Sequence, residues 1–158
     1  MHGNDHQHVR YTNFSEIESL NLADNKLDAS DLNALRHMST SVKFIDLTNN
    51  SLSSVPFWLS NCAKLASLFL GNNALNGAIP PPLQNLTSLT ELDLSQNNIE
   101  SVPLWFGGLQ SLSYLNLSLN HVSHIEDSLP TFLGNMCNLI SLDLSGNRIQ
   151  GRTSFEQQ

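Results

Sequence analysis

The chain has 158 residues, a length suited to one domain, with 40% hydrophobic residues, 13% charged residues and a formal net charge of −7. Seven Lys and Arg against fourteen Asp and Glu argue against nucleic acid or an anionic membrane surface as the partner. No apolar stretch approaches the ~20 residues that a bilayer-spanning helix needs, so direct membrane insertion is excluded for this chain.

Residues 1–16 read as a polar tail rich in His, Asn and Asp, with no apolar run of signal-peptide length. His2, Asp5, His6 and His8 read as solvated side chains rather than a metal site. From Ile17 the chain repeats itself, and a period of this size changes the whole fold reading. The frame is L-x-x-L-x-L-x-x-N-x-[LI], clearest in Leu89, Leu92, Leu94, Asn97 and Ile99. Six copies occupy residues 17–151, with asparagines at Asn25, Asn50, Asn73, Asn97, Asn120 and Asn147, 23 to 27 residues apart. Within a copy the central L-x-L predicts a short strand with alternate side chains buried. The chain then turns, and the asparagine points inward, where its amide satisfies backbone groups that the turn leaves unpaired.

The connections between strands fall on the outer, convex side. The first, Ser30 to Met38, predicts a short helix with Ser30 as cap, Asp31 in its first turn, and Leu32, Leu35 and Met38 facing inward. Later connections begin at Pro56, Pro80, Pro103 and Pro130, which fix φ and remove a ladder donor; they predict short helices, 3₁₀ turns or extended pieces. Trp58 and Trp105 each follow a Val-Pro pair after one intervening residue, which predicts equivalent outer positions packed between neighbouring repeats. The fifth copy departs furthest, with an insertion between His121 and Pro130. Residues 152–158 are a short C-terminal tail.

This frame resembles that of leucine-rich repeats over residues 17–151. The third copy continues Asn73-Ala-Leu75-Asn-Gly77-Ala-Ile79-Pro80, and its N-x-L-x-G-x-I-P tail is similar to the plant-specific subclass. The second and fourth copies, ending Val55-Pro56 and Val102-Pro103, lack the glycine and are one residue shorter. LGNMCNLISLDLSGNRIQG and SVPLWFGGLQSLSYLNLSLN are similar to ectodomains of plant receptor-like proteins, including those that perceive fungal xylanase. The resemblance implies an α/β solenoid: a right-handed superhelix with a parallel sheet on its concave side and short helices or 3₁₀ turns on its convex side. It also implies a non-enzymatic recognition module in defence signalling, on the extracellular face of the plasma membrane, with a protein or peptide ligand and a co-receptor as partners. Solenoids of this kind carry polar terminal caps, paired by cysteines in plant members. Their absence here, together with that of a signal peptide, a span and a kinase domain, reads as a slice of a larger receptor. The alternatives are an inhibitor of secreted cell-wall-degrading enzymes, similar to polygalacturonase-inhibiting proteins, and a cytosolic scaffold.

Cys62 and Cys137 sit three strand spacings apart, roughly 14 Å along the solenoid, beyond the ~7 Å Cα separation a disulfide tolerates. Cys62 aligns with Leu86, Leu109 and Met136, so it is expected to be a buried hydrophobe, and Cys137 to be exposed. Sequons occur at Asn13, Asn49, Asn85 and Asn116. Asn85 is the best placed, in an outer segment, and Asn116 the worst, within a strand.

Stacked parallel strands turn each position between leucines into a column on the concave face. One reads Ser19, Phe44, Ser67, Glu91, Tyr114, Ser141; the next Asn21, Asp46, Phe69, Asp93, Asn116, Asp143; the third Ala23, Thr48, Gly71, Ser95, Ser118, Ser145. Asp in the second column and Ser in the third are what the repeat family commonly carries. Phe44, Phe69 and Tyr114 depart from it, and aromatics on a rigid surface are favoured interface anchors. With Asp46, Glu91 and Asp93 beside them, they form the candidate ligand-binding strip, preferring basic or polar partners. Glu91 and Asp93 lie on an open sheet without the enclosure that raises a catalytic pKa. His124 and Asp127 near Ser123 and Ser128 are close in sequence, which is not triad geometry. No phosphate loop, CxxC or HExxH occurs, and the residues imply no cofactor and no metal.

Overall fold

The structure, a computed structural model, describes residues 16–37 and 40–150. Its organising element is a six-stranded parallel sheet to which every copy of the motif contributes one three-residue strand: β1 (Ser19–Asn21), β2 (Phe44–Asp46), β3 (Ser67–Phe69), β5 (Glu91–Asp93), β7 (Tyr114–Asn116) and β9 (Ser141–Asp143). The pairing is in register throughout, with Leu20, Ile45, Leu68, Leu92, Leu115 and Leu142 side by side. That register follows from the period of two in a strand: one apolar position between two polar ones leaves a single choice of buried face.

The frame leucines fill the space behind this sheet. Leu68, Leu70, Leu75, Leu89, Leu92, Leu94, Ile99, Leu112, Leu115 and Leu117 are all 0% exposed, and each contributes on the order of 1.5–3 kcal/mol by leaving water. Ile17, Leu20, Leu22 and Leu27 at one end, and Leu139, Leu142, Leu144 and Ile149 at the other, are only partly buried against the core.

A second parallel sheet, which the motif reading does not anticipate, comprises β4 (Asn76–Ala78), β6 (Asn98–Val102) and β8 (His124–Ile125). Its register breaks between Gly77 and Ala78, where Gly77 takes φ +70°, a conformation that glycine adopts without strain. In Asn98-Ile-Glu-Ser-Val102 the buried residues, Ile99 and Val102, are three apart rather than two, because the pairing skips Glu100; a search for strict alternation therefore passes over this strand.

The outer connections are 3₁₀ segments at Phe57–Asn61, Pro81–Asn85 and Leu104–Gly108, each capped by the proline before it. Two points differ from expectation. The first helix, α1 (Ala29–Leu32), starts earlier than Ser30, because Asp28 is the cap: its carboxylate accepts from the backbone of Ser30 and Asp31, while Asp31 reaches back to the Asp28 N–H. A 3₁₀ turn, Asn33–Leu35, continues it; Leu32 is buried and Leu35 partly so, and Met38 lies outside the described residues. The fifth connection begins at Ser128, not Pro130: Ser128 Oγ accepts from Thr131 N at the start of α2 (Leu129–Asn135), with Pro130 inside the first turn.

Candidate functional site

Asparagines set the spacing of the wall. In the second to sixth copies the amide does the same work, as Asn97 illustrates. Its Nδ2 donates to Leu94 O and Ser95 O of its own turn (3.0 and 3.1 Å) and to Leu70 O of the copy before (2.9 Å), while Oδ1 accepts from Leu75 N of that earlier copy (3.0 Å). Asn50, Asn73, Asn120 and Asn147 repeat this pattern. Each amide therefore closes its own turn and clasps the preceding one. Asn25 departs from the expectation of an inward amide. Among the described residues it is exposed and bonds only Leu22 O and Ala23 O, since the ladder looks back by one copy and no earlier strand there pairs with β1.

On the concave face, the second column is also bound to its own backbone. Asn21, Asp46, Asp93, Asn116 and Asp143 each accept, through Oδ1, the N–H two residues on, at 2.8 to 3.0 Å. These are Asx turns. The hydroxyl and backbone N–H of Ser145 hold the Asp143 carboxyl below its ordinary range. The expected strip residues Asp46 and Asp93 thus have a structural task as well as a charge.

Phe69 breaks that column. The rings of Phe44 and Phe69 lie 5.6 Å apart, tilted by 46°, both half-buried, in the range where aromatic pairs attract. Asp46 and Asp93 are the direct cross-strand partners of Phe69. Glu91 sits beside Ser67, whose hydroxyl donates to Glu91 Oε2 (2.8 Å), and Tyr114 is the next residue in that row. The structure therefore brings Phe44, Phe69, Asp46 and Asp93 into one group, with Glu91 and Tyr114 at its far side. Gly71 belongs with Phe69: a Cβ there would lie 3.1 Å from Ser95 Oγ and 3.2 Å from Asp93 Oδ1.

One feature of this surface escaped the sequence reading. The residue before each ladder asparagine has positive φ: Asp24, Asn49, Asn72, Gln96, Leu119 and Gly146. Asn72 Nδ2 donates to Asn49 Oδ1 (3.0 Å), and Asn49 Nδ2 to Asp24 Oδ1 (2.7 Å), a surface chain of amides along the rim. The signal was the Asp, Asn and Gly at four of these positions, the types that adopt left-handed backbone most readily; Gln96 and Leu119 carry no such signal.

The remaining expected sites are separated. Asn85 is exposed at the end of its 3₁₀ segment, Asn116 is half-buried in β7, and Asn13 lies outside the described residues. Cys62 is buried and Cys137 exposed, both as free thiols; burial pushes the Cys62 thiol up to about 11. Trp58 is buried and donates its indole N–H to Leu32 O of the preceding copy (2.9 Å), whereas Trp105 is half-buried beside Phe106. Ser128 and Asp127 are bonded locally, Asp127 Oδ1 accepting from Ser128 N and Ser128 Oγ from Thr131 N. Among the described residues no group of His, Cys, Asp and Glu could hold a metal, and no helix is long and apolar enough to cross a membrane. His2, Asp5, His6 and His8 lie outside them.

Comparison with known proteins agrees with this geometry. Family models described as leucine rich repeat match residues 40–99, 80–122 and 135–152. Receptor-like protein 41 of Arabidopsis thaliana is 30% identical over 142 residues, covering 88% of this chain and 16% of its own length. The ectodomain of the plant membrane receptor kinase GASSHO1/SCHENGEN3 from the same plant, solved in complex with Casparian strip integrity factor 2, is 30% identical at a TM-score of 0.66. That match covers 84% of this chain and 19% of the other. An internalin of Listeria monocytogenes is 29% identical at a TM-score of 0.71, over 84% of this chain and 36% of its own. The chain thus spans a small part of each relative.

Proposed function

The chain belongs to the leucine-rich repeat family, and from that premise we propose that residues 17–151 act as a non-enzymatic recognition module whose concave sheet binds a protein or peptide. The observation that carries this reading is the Phe44–Phe69 pair, 5.6 Å between rings, on a face where the same two rows hold Ser, Glu, Tyr, Asp and Asn. Packing does not require these rings: the strands beneath them are held by Ile45 and Leu68, both fully buried. Aromatic area on a preordered surface binds without the cost of ordering a loop.

Its likeness to Receptor-like protein 41 and to a plant membrane receptor ectodomain solved with its ligand supports a plant cell-surface role; a defence signal downstream is proposed on the resemblance of its repeats to receptors that perceive microbial proteins. A co-receptor would use a different face from the strip. On this reading Asn85, exposed on the outer side, carries a glycan, and Asn116, half-buried in a strand, does not. Mass spectrometry of the chain expressed in plant cells distinguishes this from a cytosolic scaffold, for which unmodified Asn85 in protein recovered from the cytosol is the outcome.

The binding role is tested by panning the full chain against a random peptide library. Binders are expected to lose most of their affinity for a Phe44→Ser, Phe69→Asn double variant, whose new residues already occupy the same rows at Ser19 and Asn116. Binders indifferent to that variant would contradict the strip.

A further inference from the structure

We propose that the ligand of this strip is an extended protein segment bearing an arginine, with its guanidinium stacked on Phe69 between the carboxylates of Asp46 and Asp93. The proposal rests on the strip being a binding surface and adds the chemistry of what it takes.

The charge of the face is one-sided. Its three rows hold four carboxylates, Asp46, Glu91, Asp93 and Asp143, and no Lys, Arg or His. Among the described residues, Lys43, on the adjoining row, is paired with Glu18 at 3.0 Å. Nothing on the face therefore neutralises the acids around Phe69.

Their arrangement selects more than positive charge. Phe69 is in direct register with Asp46 on one side and Asp93 on the other, so its strand lies between theirs, about 4.8 Å from each. A cation over the ring face, within the ~6 Å reach of a cation–π contact, then sits between two strands that each carry a carboxylate. Asp46 and Asp93 each commit Oδ1 to their own turn, at 2.9 and 2.8 Å. Among the described residues Oδ2 of Asp46 has no hydrogen-bond partner, and Oδ2 of Asp93 takes only a 3.4 Å bond from Asn116. A planar, weakly hydrated guanidinium can stack flat on the ring with its N–H edges turned toward the flanking carboxylates, directly to one or through water; an ammonium, a strongly hydrated point charge, has no plane to stack. Phe44 then supplies an apolar surface for a neighbouring ligand side chain, which calls for an extended segment rather than a free small cation.

Three variants separate these contributions without disturbing the wall. Asn21 and Asn116 make the same turn bond as the aspartates, so Asp46→Asn and Asp93→Asn keep the turn and remove the charge. Phe69→Asn restores the row's own pattern. The peptides selected by panning the full chain are sequenced, and the tightest is resynthesised with its arginine replaced by lysine and by citrulline. The expected result is arginine enrichment, a loss of at least about tenfold with citrulline, a smaller loss with lysine, and a similar loss in the Asp46→Asn, Asp93→Asn double variant that disappears at high salt, where charges are screened. Binders that need Phe44 and Phe69 but show no arginine preference would overturn this inference and leave the strip standing. Binders that need neither, or a library yielding none, would overturn both. Equal competition by spermidine would also overturn it, since a polyamine has no plane to stack.

Discussion

The second to sixth copies and the first make an instructive contrast, because they share one motif and differ in what it is bonded to. Asn97 is 5% exposed and makes four bonds, two within its turn and two to the copy before it. Among the described residues Asn25 is exposed and makes only the two local ones. The motif's local half, closing a turn, is present in both; its long-range half requires a neighbour on one particular side. The solenoid is therefore directional: each copy is held by the asparagine of the next.

The largest effect expected from this difference is in stability. Asn97→Ala would leave Leu75 N buried without a partner and take one of two donors from Leu70 O, Leu94 O and Ser95 O, which should cost about 2 kcal/mol, whereas Asn25→Ala should cost under about 1 kcal/mol. Urea unfolding of the two variants measures both; equal losses would mean that the cross-copy bonds carry little.

Interior and rim also differ in thiol chemistry. Iodoacetamide at neutral pH should label Cys137 and spare Cys62 until the chain unfolds. The Cys62 thiol is raised in the folded state from 9.0 to about 11. Its contribution to stability is then fully present below pH 9.0 and lost as pH rises towards 11. A Cys62→Val variant should lack that alkaline loss in a pH series of denaturation midpoints.

A smaller effect concerns the rim. Leu119 holds a left-handed backbone (φ 54°) and is 57% exposed, where the other copies place Asp, Asn, Gln or Gly. Leu119→Asn should relieve strain and stabilise the fold by about 1 kcal/mol, read as a raised thermal midpoint. No gain would mean that the Leu119 contact with the Gly146 region offsets the strain.

The same contrast explains what could be read from the sequence. The sheet, its register and the buried leucines were legible, because Leu92 and Leu94 two apart and Asn97 three later state both the strand and its turn, and the repetition makes neighbours of residues 23 to 27 apart. Phe44 and Phe69 were legible as neighbours for the same reason. What repetition cannot express is an end: Asn25 has the same letters around it as Asn97, and only its position in the stack exposes it. The second sheet and the cap at Asp28 were missed because they depend on the variable tails, where Gly77, Glu100 and Asp28 have no counterparts in the frame. The second role of Asp46 and Asp93, as turn acceptors, is a matter of side-chain geometry that column reading alone does not specify.

The directional ladder is tested most directly by native-state hydrogen exchange at Leu75 and Ile99 in the Asn97→Ala variant. Leu75 N is held by Asn97, and Ile99 N by Asn120. The account predicts that Leu75, in the preceding copy, loses protection well beyond the global change in stability, while Ile99, two residues from the substitution, follows the global change alone. Selective loss at Ile99 with Leu75 protected would contradict it.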